Sequence, residues 1–179
     1  CAVNFLKEIV NGEFTALPVK DGQEMKIGDK TLKFMVVPNL HWPDTMYTYI
    51  EEEQILVTCD SFGSHYGFKD ILLSKVTDQE GYMRATKYYF DNIIGPFKPY
   101  MQKALERVRE LDISMICTGH GPVLDTRIDF ILDTYQEWCT VVNPNKKKTV
   151  IIPYVSAYGY TKELAGAIAQ GIEESGDID

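Results

Sequence analysis

Apolar and polar residues follow several different rhythms along this chain, and each rhythm predicts an element. Asn4 to Val10 reads as a short helix. From Thr15 to Val37 the pattern changes to short β-prone stretches, TALPV and TLKFMVV, set apart by the turn signals Asp21-Gly22 and Gly28-Asp29. Tyr47 to Ile50 and Ile55 to Cys59 predict a hairpin around the polar Glu51 to Gln54, followed by the Gly- and Ser-rich loop SFGSHYG. Between Tyr82 and Leu111 the spacing is helical, with an interruption near Gly95-Pro96, where a helix does not easily continue. Met101, Leu105, Val108 and Leu111 recur three or four apart and give the second piece one apolar face. Ile113 to Cys117 reads as a buried strand entering the turn Gly119-His120-Gly121-Pro122, and Asp129 to Thr140 as a further helix.

The rhythm changes again after residue 142. Val142-Asn143-Pro144-Asn145 and the three lysines Lys146, Lys147 and Lys148 are polar, Pro-containing and charged, as a linker is. Beyond them Val150 to Val155 is a continuous apolar run of the kind found in buried parallel strands. It leads through Ser156 to Thr161 into an Ala- and Leu-rich helix from Lys162 to about Glu174. A strand, a small-residue loop and a helix in that order open a doubly wound α/β domain. The expected organisation is therefore a first domain over 1–142, a linker over 143–148 and the start of a second domain over 149–179, with no internal repeat.

Composition narrows the function classes. At 179 residues, 45% hydrophobic and 25% charged, the sequence suits a soluble globular protein of one domain or parts of two. A net charge of −8 is a poor match to nucleic acid, and the one basic cluster sits in the predicted linker. No apolar run approaches the roughly 20 residues that span a bilayer. The opening residues CAVNFLKEIV lack the basic start and small-residue cleavage site of a signal peptide. Cys1, Cys59, Cys117 and Cys139 form no CxxC pair, which favours reduced thiols and a cytoplasmic location. The chain does not begin with Met and stops just after its last predicted helix, so the expectation is part of a longer protein.

Two constellations carry candidate chemistry. His41, Asp60 and His120 all fall in loops at the ends of predicted strands, and such loops converge along one sheet edge. Imidazole nitrogen and carboxylate oxygen suit iron, zinc or manganese, and an Asp can bridge two ions. On spacing alone, ordinary polar loop residues are the favoured reading. His65, the third histidine, is expected to be a loop residue rather than a group supporting the ligands. The other constellation is the loop Ser156, Ala157, Tyr158, Gly159, Tyr160 and Thr161. Backbone N–H groups at a helix N-terminus, with hydroxyls beside them, hold phosphate; Thr161 is also a plausible helix N-cap, and a capped turn is the alternative.

The stretches His41-Trp42-Pro43-Asp44-Thr45-Met46, Cys59 to His65 and Thr118-Gly119-His120-Gly121-Pro122 together resemble the second half of the metal domain of flavodiiron proteins (A-type flavoproteins). His41 and Asp60 lie 19 positions apart, and Asp60 and His120 lie 60 apart, as that resemblance requires. Gly-His-Gly-Pro is shared across the β-lactamase-like superfamily, whereas His-Trp-Pro-Asp with the spaced Asp is more specific. The string from Ile152 to Ala165 resembles the FMN phosphate loop that opens the flavodoxin domain of the same family. The implied fold is α/β: the C-terminal part of a metallo-β-lactamase-like αββα domain, then the first βα unit of a flavodoxin-like domain.

The resemblance implies an oxidoreductase that reduces dioxygen to water or nitric oxide to nitrous oxide at two non-haem irons. His41 and His120 would each ligate an iron, Asp60 would bridge both, and Ser156 to Thr161 would surround the FMN phosphate. Electrons would come through FMN from rubredoxin or another flavoprotein, in a head-to-tail homodimer or a tetramer, with Trp42 a candidate for the cofactor junction. The family's first ligands come from a His-x-Glu-x-Asp motif that this sequence does not contain. The chain alone is therefore expected to bind iron and FMN weakly or not at all. A β-lactamase-like zinc hydrolase and a flavodoxin-type electron-transfer protein are the alternatives.

Overall fold

A computed structural model describes residues 2–141 and 148–176 of the chain. The chain divides between Thr140 and Val141 into two units, and each is described by itself.

Five strands form the frame of the first unit: β1 (Glu24–Ile27), β2 (Lys30–Val36), β3 (Met46–Ile50), β4 (Ile55–Val57) and β5 (Met115–Cys117). They lie side by side in sequence order in one sheet. The first four pair antiparallel, and β5 joins β4 in parallel with Val57 opposite Cys117. A parallel partner needs a crossover, since no tight turn can reverse the chain twice. Two helices supply it, α2 (Gln79–Tyr89) and α3 (Lys98–Val108), while α1 (Ala2–Ile9) precedes the sheet and α4 (Ile128–Cys139) follows it.

Helical spacing decides which faces are buried. On α3 Met101, Ala104, Leu105 and Val108 are enclosed, and on α4 Ile131, Leu132, Tyr135 and Cys139. They meet the inner faces of Tyr47, Leu56 and Ile116 in a single core. The interruption expected near Gly95-Pro96 is a π-helical turn over Phe90–Ile94 and a 3-10 turn over Gly95–Phe97. Pro96 has no N–H to give to the preceding turn, so regular α-helix cannot run through it.

Two expected strands are not formed. Thr15 to Val19 forms no strand and is largely exposed. Pro18 removes a ladder donor there, and a strand persists only when its N–H and C=O groups find a neighbour. The segment that does pair is β1, whose Glu-Met-Lys-Ile sequence carries little apolar signal and which is held by β2 across the Gly28-Asp29 turn. In the second unit Val150 to Val155 forms no strand either, and Ile151 and Val155 are 82% and 92% exposed. An apolar run becomes a buried strand only where a sheet accepts it, and none pairs with it among the described residues.

Among the described residues of the second unit the helix is α5 (Tyr160–Glu174), which starts earlier than the spacing suggested. Its N-cap is Gly159 at φ 95°, so Thr161 lies inside the first turn rather than capping it. The expected doubly wound opening is thus present as a loop and a helix only. Asn143 to Lys147 of the predicted linker lie outside the described residues. Among the described residues no helix is long and apolar enough to cross a membrane.

Candidate metal centre

Each candidate residue is delivered by a loop at one end of the sheet. His41 sits in the connection from β2 to β3, which is knitted to itself: Val37 N–H donates to Thr45 C=O at 3.0 Å and Asn39 N–H to Trp42 C=O at 2.8 Å. The Thr45 hydroxyl donates to Trp42 C=O at 3.0 Å. Leu40 anchors the loop by complete burial, worth about 1.5–3 kcal/mol. Its neighbour His41 is left with its ring 5.9 Å from Trp42 and 6.4 Å from Phe97.

Asp60 and His120 are brought together by close backbone packing between two loops. Gly119 N–H donates to Cys59 C=O, and Ser64 N–H donates to His120 C=O at 3.1 Å. Glycine is required for this approach. A Cβ at Gly121 would lie 2.6 Å from Ser64 O and closer still to its Oγ, and its φ of 82° already disfavours other residues. The same region holds non-glycine residues in the left-handed conformation: Asn39 (φ 65°), Cys59 (φ 55°) and Phe62 (φ 64°). Asn tolerates that geometry, but Cys and Phe cost of order 1–3 kcal/mol each. Burial of the Phe62 ring against Tyr135, 4.9 Å between centroids, offsets part of this.

The outcome is a carboxylate with an imidazole on each oxygen. His41 Nε2 lies 3.4 Å from Asp60 Oδ2, and His120 Nε2 lies 3.2 Å from Asp60 Oδ1. The Asp60 side chain is 19% exposed and His120 49%, so solvent reaches the site from the His120 side. Because the imidazoles face different oxygens, they define two half-sites about one carboxylate rather than a single chelate. In keeping with this, no group of three or more His, Cys, Asp or Glu among the described residues is arranged to hold an ion by itself. The donor set nonetheless fits a pair of ions sharing Asp60: one soft-to-borderline nitrogen for each and one bridging carboxylate.

Two neighbours escaped the sequence reading. Tyr89 of α2 is buried with its ring 5.9 Å from His120, and burial, with the charge of Asp60 second, pushes its phenol well above the usual range. His65, read as a loop residue, has its ring 5.3 Å from that of His120. Nothing local in the sequence signals either contact, because α2 must first dock on the sheet. In the second unit the Ser156 hydroxyl accepts from Gly159 N–H at 3.0 Å, which shapes the loop. Ala157, Tyr158, Tyr160 and Thr161 are exposed ahead of and along the first turn of α5, and Gly159 is half-buried.

The family profile described as ODP family beta lactamase matches residues 2–121. Flavo-diiron protein FprA2 of Clostridium acetobutylicum is 40% identical over 173 residues, covering 94% of this chain and 43% of that protein. Type A flavoprotein fprA of Rhodobacter capsulatus is 36% identical over 179 residues, covering 97% of this chain and 40% of that protein. The crystal structure of the flavodiiron protein from Giardia intestinalis superposes with a TM-score of 0.67 at 35% identity, over 90% of this chain and 39% of that one. The chain thus spans about two fifths of the length of the relatives it matches.

Proposed function

The chain belongs to the ODP beta-lactamase family, and from that premise we propose that His41, Asp60 and His120 are its share of a diiron site in a flavodiiron oxidoreductase. The observation that carries the reading is the division of Asp60 between two imidazoles, Oδ2 toward His41 and Oδ1 toward His120. A hydrolytic site around a single ion would gather its imidazoles on one point; here they face different oxygens of one carboxylate. The names of the relatives, flavo-diiron protein and type A flavoprotein, favour iron over zinc.

In this reading the whole protein reduces dioxygen to water or nitric oxide to nitrous oxide. Iron would supply the redox chemistry toward the small oxidant, and FMN would supply its electrons from a rubredoxin-type or flavoprotein donor. The chain's own residues do the positioning. Asp60 would hold the two ions together with His41 and His120, while the knitted loop around Leu40 fixes His41. Tyr89 remains a neutral phenol beside His120. Trp42, 62% exposed next to His41, would be the residue that meets a flavin of a second subunit in a homodimer. Ser156, Ala157, Tyr158, Gly159, Tyr160 and Thr161 would receive the FMN phosphate at the N-terminus of α5.

Three donors with one shared do not complete two iron coordination spheres. Elemental analysis of the desalted chain should therefore find fewer than two irons, and any iron(II) binding seen by titration should be lost in Asp60→Asn. Binding indifferent to Asp60→Asn would overturn the assignment, and two tightly held irons per chain would overturn the expectation that these three donors leave the coordination incomplete. A flavin absorption band in the purified chain would show that its phosphate loop suffices for FMN, against expectation.

A further inference from the structure

We propose that His65 is a positioning residue for His120, acting through the edge of its ring rather than through a nitrogen. The inference rests on the reading of His120 as a metal ligand. Three rings form a closed triangle at this point. The His65 and His120 rings meet edge to face at 5.3 Å and 86°, and the His65 and Tyr89 rings do so at 4.8 Å and 86°. Tyr89 and His120 close the figure at 5.9 Å and 46°.

The backbone supports the same arrangement. Ser64 N–H donates to His120 C=O, so the residue before His65 is strapped to the residue whose ring it touches. A Cβ at Gly63 would lie 3.1 Å from the same carbonyl. An imidazole on a loop turns freely about its last side-chain torsion unless something packs against its faces and edges. Tyr89, buried in the core, is a fixed wall on one side. His65, exposed at the loop surface, packs beside Tyr89 against the same flank of the His120 ring, whose Nε2 is directed at Asp60 Oδ1. Supporting groups of this kind commonly change metal affinity by about ten- to a hundredfold when removed.

The test compares the full chain with His65→Ala and His65→Phe at one fixed pH, with thermal unfolding as a control for folding. Phe keeps a ring edge and has no nitrogen. In the metal-free chain, His65→Ala should shift the ring resonances of His120 and leave those of His41 in place, while His65→Phe restores the His120 positions. With cobalt(II) as the probe, His65→Ala should weaken binding about tenfold and His65→Phe should recover it. Unchanged His120 resonances in His65→Ala would overturn the proposal. So would a His65→Phe variant as defective as His65→Ala, which would assign the role to a nitrogen. If the unaltered chain binds no cobalt(II), as an incomplete ligand set allows, the His120 resonances alone decide the proposal.

Discussion

Gly121 concentrates the residue-scale constraints on the candidate centre. Its left-handed backbone and the nearness of Ser64 leave no room for a side chain, so Gly121→Ala should lose roughly 2–4 kcal/mol in urea unfolding. The same change should separate the loop bearing His120 from that bearing Asp60 and weaken whatever metal binding the chain has. His41, Asp60 and His120 were legible from the sequence because each stands in a motif at a strand end. Their mutual geometry was not, since it depends on Gly63, Gly119 and Gly121 allowing two backbones to touch. Tyr89 was illegible for a different reason. A tyrosine on an amphipathic helix has the same local pattern whether it faces core or site.

At the scale of elements, periodicity worked wherever one face was buried against a large partner. The spacing of Met101, Leu105 and Val108 predicted α3, and the helix buries all three. Leu105→Ala should therefore cost about 2–5 kcal/mol, read as a fall in the denaturation midpoint with the slope unchanged. A weaker tie joins α3 to the sheet. Arg107 donates to Asp21 at 2.7 Å and to Val36 C=O at 3.0 Å. The hydrogen bond from Arg107 is the main reason that the Asp21 carboxyl is held below the usual range. A depressed folded value means that the contribution is present above the unfolded carboxylate value, near 3.9, and is lost as pH falls through the folded one. Both side chains are more than a third exposed, so Asp21→Asn should cost no more than about 1 kcal/mol at pH 7, with the difference vanishing in acid-shifted melts. Strands were less legible than helices. TALPV and the run Val150 to Val155 have β-prone composition, yet pairing is a property of two segments.

For the whole molecule, the distribution of buried side chains sets what should be rigid. Every member of the main core lies at or before Cys139, whereas on α5 only Ala165 is enclosed and Leu164 is 61% exposed. Protection from amide exchange follows burial and cooperative packing. Amides of α3, α4 and the central strands should accordingly exchange orders of magnitude more slowly than those of α5. Equal protection in both units, measured by mass spectrometry of exchanged peptides, would contradict this. The sequence by itself determined the helices, the hairpin, the change of character after residue 142 and the residue types able to hold metal or phosphate, because these depend on local spacing and side-chain chemistry. Only the tertiary structure decided that β1 pairs while Thr15 to Val19 and Val150 to Val155 do not, and that two imidazoles share one carboxylate with His65 and Tyr89 against one of them. Those outcomes depend on which distant segments become neighbours, and hydrogen-bond pairing and ring packing exist only between neighbours.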